Sequence, residues 1–246
     1  MGIPQQLRLP RPAFKTSPSS PAAPWWPLFA SCFLLSALSI ANLGLINSMV
    51  GWLLKQKHNV HTYQIDWPGN TTPLNVEPKH LWADQGHESN GVAGYGFFLG
   101  IFGMVTAWRM RSAQGQRVRS LTALVVLLSL AVLFTLSAFI FVFVVTYQTA
   151  GQSIREPVAS NTVGMNYPEF HWTPETWFKA VLDLPLADPA VRKDMDHKVT
   201  NMVAWRWMLL VIFIADVIAF SMATMAWLRQ RRGVVARTDS ANDVEK

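Results

Sequence analysis

The stretch LTALVVLLSLAVLFTLSAFIFVFVVTY, from Leu121 to Tyr147, contains no charged residue, no glycine and no proline. About 20 consecutive apolar residues are enough for an α-helix to cross the hydrocarbon core of a bilayer. The stretch is longer than that, so it predicts a membrane-spanning helix. It decides the fold class, because a helix that is apolar on every face is stable in lipid rather than in water.

Three further charge-poor runs accompany this stretch, at residues 25–54, 91–108 and 203–228. Tryptophans stand at both ends of the first run, as expected for rings that favour the headgroup region. Because lipid offers no hydrogen-bond partners to an open sheet, each run is expected to be a helix. We therefore predict an all-α membrane protein with four transmembrane helices in a bundle and a partly helical second extracytoplasmic loop.

The composition agrees with this class. The chain is 50% hydrophobic and 15% charged, whereas a soluble domain carries roughly 25% charged residues. The net charge of +6 does not indicate nucleic acid, because the basic residues flank the apolar runs. The single cysteine, Cys32, excludes a disulfide framework and a cysteine-based metal cluster. No cofactor is predicted.

The distribution of Lys and Arg predicts the orientation. One side of the membrane receives twelve basic and three acidic residues, and the other receives nine basic and eleven acidic residues. The twelve are Arg8, Arg11, Lys15, Arg109, Arg111, Arg117, Arg119, Arg229, Arg231, Arg232, Arg237 and Lys246. The positive-inside rule then places both termini in the cytoplasm. The plasma membrane or secretory pathway is expected, with the mitochondrial inner membrane as the alternative.

The predicted organisation follows from these spans. Its nine parts are 1–24 (disordered Pro/Ser-rich cytoplasmic tail), 25–54 (TM1), 55–90 (outer loop 1), 91–108 (TM2), 109–120 (basic cytoplasmic loop), 121–147 (TM3), 148–202 (outer loop 2), 203–228 (TM4) and 229–246 (cytoplasmic tail).

The two outer loops differ in pattern. Prolines and glycines interrupt the first, where short extended pieces such as 60–67 could pair, although no hairpin signature is present. This loop contains the sequon Asn70-Thr71-Thr72, so Asn70 is a glycosylation candidate in a secretory pathway. The second loop has helix start signals at Thr173-Pro174 and Asp188-Pro189. They predict helices over 174–184 and from 189 into the last span.

Asp216 is the acidic residue deep inside a span, and an intramembrane carboxyl is a functional hypothesis by default. Our first interpretation is a protonated carboxyl that hydrogen-bonds to a neighbouring span. The candidate partners are Asn42, Asn47, Ser129 and Thr135. The alternatives are a role in proton or ion movement and solvation near a helix break.

Small residues in two spans predict close helix packing. Gly96 and Gly100 form a G-x-x-x-G pattern in the second span, and Ala215, Ala219 and Ala223 form a stripe in the fourth. Small residues allow helix backbones to approach each other in lipid. We expect the second span to pack against the fourth, with homodimerisation through the two glycines as the alternative.

No nucleophile elbow, phosphate-binding loop or dinucleotide fingerprint is present, so an enzyme is not predicted. The first hypothesis is a membrane-organising or partner-binding protein that uses outer loop 2 or the second span. The alternatives are a small transporter or channel component that uses Asp216, and a metal-binding protein that uses outer-loop histidines. The histidine pattern is His58 with His61, and His80 with Asp84, His87 and Glu88. It matches no helix-borne metal signature.

Overall fold

A computed structural model describes residues 25–113 and 116–244, with side chains as far as Arg232. The predicted disordered tail at 1–24 lies outside the described residues. The elements in chain order are α1 (Trp25–Lys55) with a π-helical extension (Gln56–Val60), β1 (Thr62–Trp67), β2 (Asn70–Asn75), α2 (Asp84–Ser112), α3 (Arg119–Gln148), α4 (Glu156–Asn161), α5 (Pro174–Leu182) and α6 (Pro189–Val244).

Four of these helices, α1, α2, α3 and α6, are long and apolar enough to cross a membrane, which confirms the prediction of four spans. Large apolar side chains are exposed on their outer surfaces, such as Phe98 at 70%, Leu133 at 63% and Phe134 at 61%. Such exposure is unfavourable in water and ordinary in lipid. The chain is therefore a multi-pass membrane protein.

The spans pack side by side, with α1 and α3 each contacting both α2 and α6. The glycines of α2 face α1 rather than the last span, so the predicted partner was wrong. A Cβ atom on Gly96 would lie 2.5 Å from Ser39 Oγ, and one on Gly100 would lie 2.6 Å from the Cys32 carbonyl oxygen. Small side chains on α1 at Cys32, Ser36 and Ser39 permit this approach.

This contact also removes the surface on which a glycine-mediated homodimer would depend. Gly96 and Gly100 are both buried within one chain, and the neighbour that covers them is α1. A second copy could reach them only after α1 and α2 had separated. In this arrangement the two glycines are therefore occupied by the contact with α1.

The alanine stripe of the last span is also buried, with Ala215 exposed to 3% and Ala219 and Ala223 to 0%. These alanines belong to one apolar cluster with Leu35 of α1 and Leu128 of α3. The stripe therefore lets α6 pack closely against two helices at once.

The connections on one side of the spans fold into a compact unit, which we call the loop module: residues 62–82 and 154–188. Its first part is an antiparallel hairpin of β1 and β2, in which Trp67 pairs with Asn70. Pro68 and Gly69 form the turn, and Gly69 has φ +89°, which suits the third position of a type II turn. The extended pieces therefore pair although the sequence carries no hairpin signature, and the predicted all-α fold class is corrected by this small sheet.

An aromatic core holds the loop module together. The rings of Trp172 and Trp177 lie 5.3 Å apart, and both side chains are fully buried. Trp177 Nε1 donates a hydrogen bond of 2.8 Å to the Val76 carbonyl. The core therefore joins the segment after the hairpin to the segment that contains α5.

The observed helices differ from the predicted spans mainly because they continue into polar residues beyond the apolar runs. α2 begins at Asp84 rather than at 91, because its first turns lie under the loop module instead of in lipid. α6 runs without interruption through the predicted boundaries at 203 and 228 and continues to Val244. α5 occupies Pro174–Leu182 behind a capping box at Thr173.

Candidate functional site

A cavity of about 430 Å³ lies where α1, the start of α2, α5 and α6 meet beneath the segment 76–83. Its volume falls within the usual range for small-molecule sites. Most of the wall is apolar and comes from α1, α5 and α6: Ile46, Met49, Val50, Leu53, Leu54, Phe178 and Met202. The cavity therefore offers mainly apolar contact to an occupant.

The cavity wall carries a buried carboxylate, in addition to the more exposed pair Lys57 and Glu77. Glu175, in the first turn of α5, is 2% exposed. Its Oε1 atom lies 2.5 Å from Lys179 Nζ and 3.3 Å from an Arg206 guanidinium nitrogen. Its Oε2 atom has no hydrogen-bond partner among the described residues. Two cations thus compensate the charge, while one acceptor oxygen remains unused.

The Thr173 capping box fixes the position of this glutamate. The Thr173 side chain accepts a hydrogen bond from the Thr176 amide, and the Thr176 side chain accepts one from the Thr173 amide. Both threonines are buried. An acidic residue in the first turn also interacts favourably with the helix dipole. The local sequence therefore holds Glu175 in place on the cavity wall.

Two further buried polar side chains line the cavity. Gln85 is 3% exposed and Trp205 is 5% exposed. Gln85 Oε1 and Trp205 Nε1 both lack a hydrogen-bond partner within the part of the chain described. Each unpaired buried polar group costs about 1–3 kcal/mol. The wall thus combines two acceptors, on Gln85 and Glu175, with one indole donor.

The cavity opens on the side of the protein between α1 and α2. Val50 and Leu54 of α1 line it and are 46% and 52% exposed, and His87 and Asn90 of α2 are exposed beside them. The apolar part of α1 ends at this level, where Lys55 follows. The opening therefore lies at the depth expected for the boundary between lipid and headgroups.

Asp216 lies apart from this cavity, within the apolar length of α6. It is 1% exposed, and Thr135 Oγ1 of α3 donates a hydrogen bond of 2.7 Å to its Oδ2 atom. Of the partners considered, Ser129 instead bonds to its own helix at Val126. Asn47 is exposed and lines the cavity.

A second polar side chain is buried in the spans. Asn42 of α1 is 0% exposed, and neither polar atom of its amide has a partner among the described residues. Asp216 Oδ1 is also unpaired in that part of the chain. The spans therefore contain unused hydrogen-bonding capacity on α1 and α6.

The glycosylation candidate Asn70 is exposed and follows directly after the hairpin turn. Thr72, the third residue of the sequon, is 6% exposed, and its Oγ1 accepts a hydrogen bond of 2.8 Å from Trp67 Nε1. An enzyme would therefore reach the asparagine side chain more readily than the threonine hydroxyl in the folded protein.

The histidines do not gather in the groups that the sequence pattern suggested. The rings of His80 and His171 lie 5.1 Å apart, and Trp82 stacks on His171 at 5.0 Å. Among the described residues, no group of three or more His, Cys, Asp or Glu side chains could hold a metal ion. His87 lies at the cavity opening instead.

The cavity residues were not predicted as a site from the sequence. Glu175 directly follows the predicted helix start at Thr173-Pro174, but its burial depends on a contact with Arg206, which is distant in sequence. Gln85 falls in a segment that resembled a polar loop. A glutamine and a glutamate beside apolar runs are a weak signal, because such residues are usually solvated.

No protein-family model, curated protein or solved structure matches the chain.

Proposed function

We propose that this protein is a non-enzymatic, partner-binding membrane protein whose loop module recognises another protein outside the cytoplasm. The excess of Lys and Arg on the opposite side of the spans supports this orientation. The proposed location is the plasma membrane or secretory pathway, and the mitochondrial inner membrane is the alternative.

The observation that carries the proposal is an exposed apolar surface on an otherwise well-packed module. It lies between α4 and α5, where Val163 is 47% exposed, Met165 is 61% exposed and Phe170 is 47% exposed. Aromatic residues and methionine are enriched at protein interfaces. We call these three residues the apolar segment.

Polar and aromatic contacts hold the apolar segment in one conformation. Tyr167 is fully buried and donates a hydrogen bond of 2.8 Å to Glu169. Arg155 forms an ion pair with the same glutamate and holds the pKa of its carboxyl below the ordinary value, chiefly through a hydrogen bond. Phe170 adopts φ 63°, which is uncommon for a residue with a side chain. Preorganisation of this kind lowers the entropic cost of binding.

The test is crosslinking in intact cells that express the full chain, followed by identification of the crosslinked proteins. The variant carries Met165→Ser and Phe170→Ser. The matched control is Val60→Ser, which changes another exposed apolar residue at the same end of the spans. We expect the double variant to lose a crosslinked partner that the control retains, at equal abundance in the membrane. The same partners in all three proteins would contradict the proposal.

A second candidate function rests on Asp216 Oδ1 and on the side-chain amide of Asn42, which are buried inside the spans and lack partners in the described residues. A small transporter or channel component could use such groups to bind a proton or a cation. The decisive comparison is the pair of Asp216 variants described in the Discussion.

A further inference from the structure

The cavity between α1 and α2 has a polar wall that specifies the chemistry of an occupant. Glu175 Oε2 and Gln85 Oε1 are acceptors without a donor, and Trp205 Nε1 is a donor without an acceptor, among the described residues. A hydroxyl group is both a donor and an acceptor. A hydroxyl group therefore matches both kinds of unpaired group that these cavity-lining residues carry.

The charge around the cavity favours an uncharged group. Lys179 and Arg206 already pair with Glu175, so a cationic headgroup would meet two cations near the carboxylate. A phosphate in the cavity would meet Glu175, which lines it, whereas Lys179 and Arg206 do not line it, and bringing like charges together in a buried site is unfavourable. Lys57, at the rim, is already paired with Glu77 at 2.8 Å. A neutral hydroxyl avoids these conflicts.

The remaining walls and the opening indicate the rest of the ligand. The cavity is lined mainly by apolar side chains of α1, α5 and α6. It opens beside Val50 and Leu54, which are exposed where the apolar part of α1 ends. A molecule dissolved in the bilayer can enter there without crossing water, and its apolar body would stay in contact with apolar walls.

We propose that this cavity binds a membrane lipid with an uncharged, hydroxyl-bearing headgroup. Sterols and ceramides both supply this chemistry, and the experiment distinguishes them. The proposal is independent of partner binding by the apolar segment, because the cavity and that segment share no residue.

The binding experiment uses the purified full chain in phosphatidylcholine vesicles. Radiolabelled sterol is the probe in one arm, radiolabelled ceramide in the second and radiolabelled phosphatidic acid in the third. We expect saturable binding of the sterol or the ceramide, and the arm that binds identifies the source. Saturable binding of phosphatidic acid alone, or of none of the three, would overturn the proposal.

One variant is designed to fill the cavity. Gly86 lines the cavity, and a Cβ atom built on it meets nothing within 4 Å. Gly86→Leu should therefore fill the space and abolish saturable binding. The matched control is Gly91→Leu on the same helix, where a Cβ atom also meets open space but no cavity is lined. Equal binding by both variants would contradict the site.

A second variant tests the polar contact. Trp205→Phe removes the indole donor and keeps an aromatic ring, so we expect binding about three- to tenfold weaker, as for the loss of one hydrogen bond. Trp207→Phe is the control, since Trp207 packs on Phe143 and is absent from the cavity wall. An equal effect of the two substitutions would show that the Trp205 indole does not contact the bound lipid.

Discussion

Asp216 is the residue whose chemistry separates the two candidate functions. Its carboxyl receives one hydrogen bond from Thr135 and is almost fully enclosed by the spans. A charged carboxylate at this depth would cost about 2.5–3.5 kcal/mol on insertion scales. A protonated carboxyl that hydrogen-bonds between α3 and α6 is therefore the simpler state.

Asp216→Asn should leave membrane abundance and thermal stability in detergent nearly unchanged, because an amide keeps an acceptor for Thr135. Asp216→Leu should weaken helix association by about 0.6–2 kcal/mol, since the hydroxyl of Thr135 would lose its partner. Thermal unfolding of both purified variants measures the difference.

Flux measurements in reconstituted vesicles test whether Asp216 has only a structural role. A transporter that needs an ionised carboxylate loses activity with either substitution, because neither side chain carries a charge. If the original protein shows a proton or cation flux and Asp216→Asn, at normal abundance, does not, Asp216 has a role in transport and not only a structural one.

Individual residues also show why the cavity was not predictable. Burial of Glu175 depends on Arg206 and on the cap at Thr173, and the first of these contacts joins positions far apart in sequence. Unlike hydropathy, such pairing leaves no periodic pattern in the chain. Asp216 could be identified from the sequence because a single acidic residue in an apolar run is unusual. Its hydrogen-bond partner could be limited only to four candidates, of which Thr135 is the one observed.

The contact between α1 and α2 is so close that it leaves no room for a larger side chain at Gly100. A Cβ atom on Gly100 would lie 2.6 Å from the Cys32 carbonyl oxygen and 2.9 Å from the Ser36 backbone nitrogen. Backbone atoms cannot rotate away as a side chain can, so the helices would have to separate. Overpacking of this kind typically costs about 1–3 kcal/mol.

We expect Gly100→Ala to lower thermal stability in detergent by an amount in that range. Gly94→Ala is the matched control on the same helix, because a Cβ atom there meets nothing within 4 Å, and it should be neutral or slightly stabilising. Differential scanning fluorimetry of the two variants provides the comparison. Equal stability would show that α1 and α2 do not approach each other as described.

The elements that could be predicted are those determined by a short, continuous stretch of sequence. Each of the four spans carries its own apolar run, and the cap at Thr173 lies directly before α5. The hairpin was not predicted although Pro68-Gly69 is a favourable turn pair and β1 alternates in polarity, because β2 does not alternate and contains Pro73. The contact of the α2 glycines with α1 was not predicted, because the small residues Cys32, Ser36 and Ser39 lie within a run that is mainly apolar.

At the scale of the whole molecule, the orientation remains a prediction from charge. A reporter fused after Lys246 should stay cytoplasmic, and Asn70 should carry a glycan in a eukaryotic host if the hairpin enters the secretory lumen. Protease protection of sealed vesicles, together with a mobility shift after glycosidase treatment, measures both. Asn70→Gln is the control for the shift, and cleavage between Arg109 and Arg119 from the outer side would reverse the orientation.

The uninterrupted α6 has a mechanical consequence. At a rise of about 1.5 Å per residue, its 56 residues form a helix about 84 Å long, against a hydrocarbon core of about 30 Å. The helix begins directly after the loop module and ends well beyond the far side of the apolar spans. An unbroken helix that tilts as a rigid body would act as a lever. A tilt of about 5° around its midpoint would move each tip by roughly 4 Å, so a displacement at one end of α6 would be accompanied by a displacement at the other.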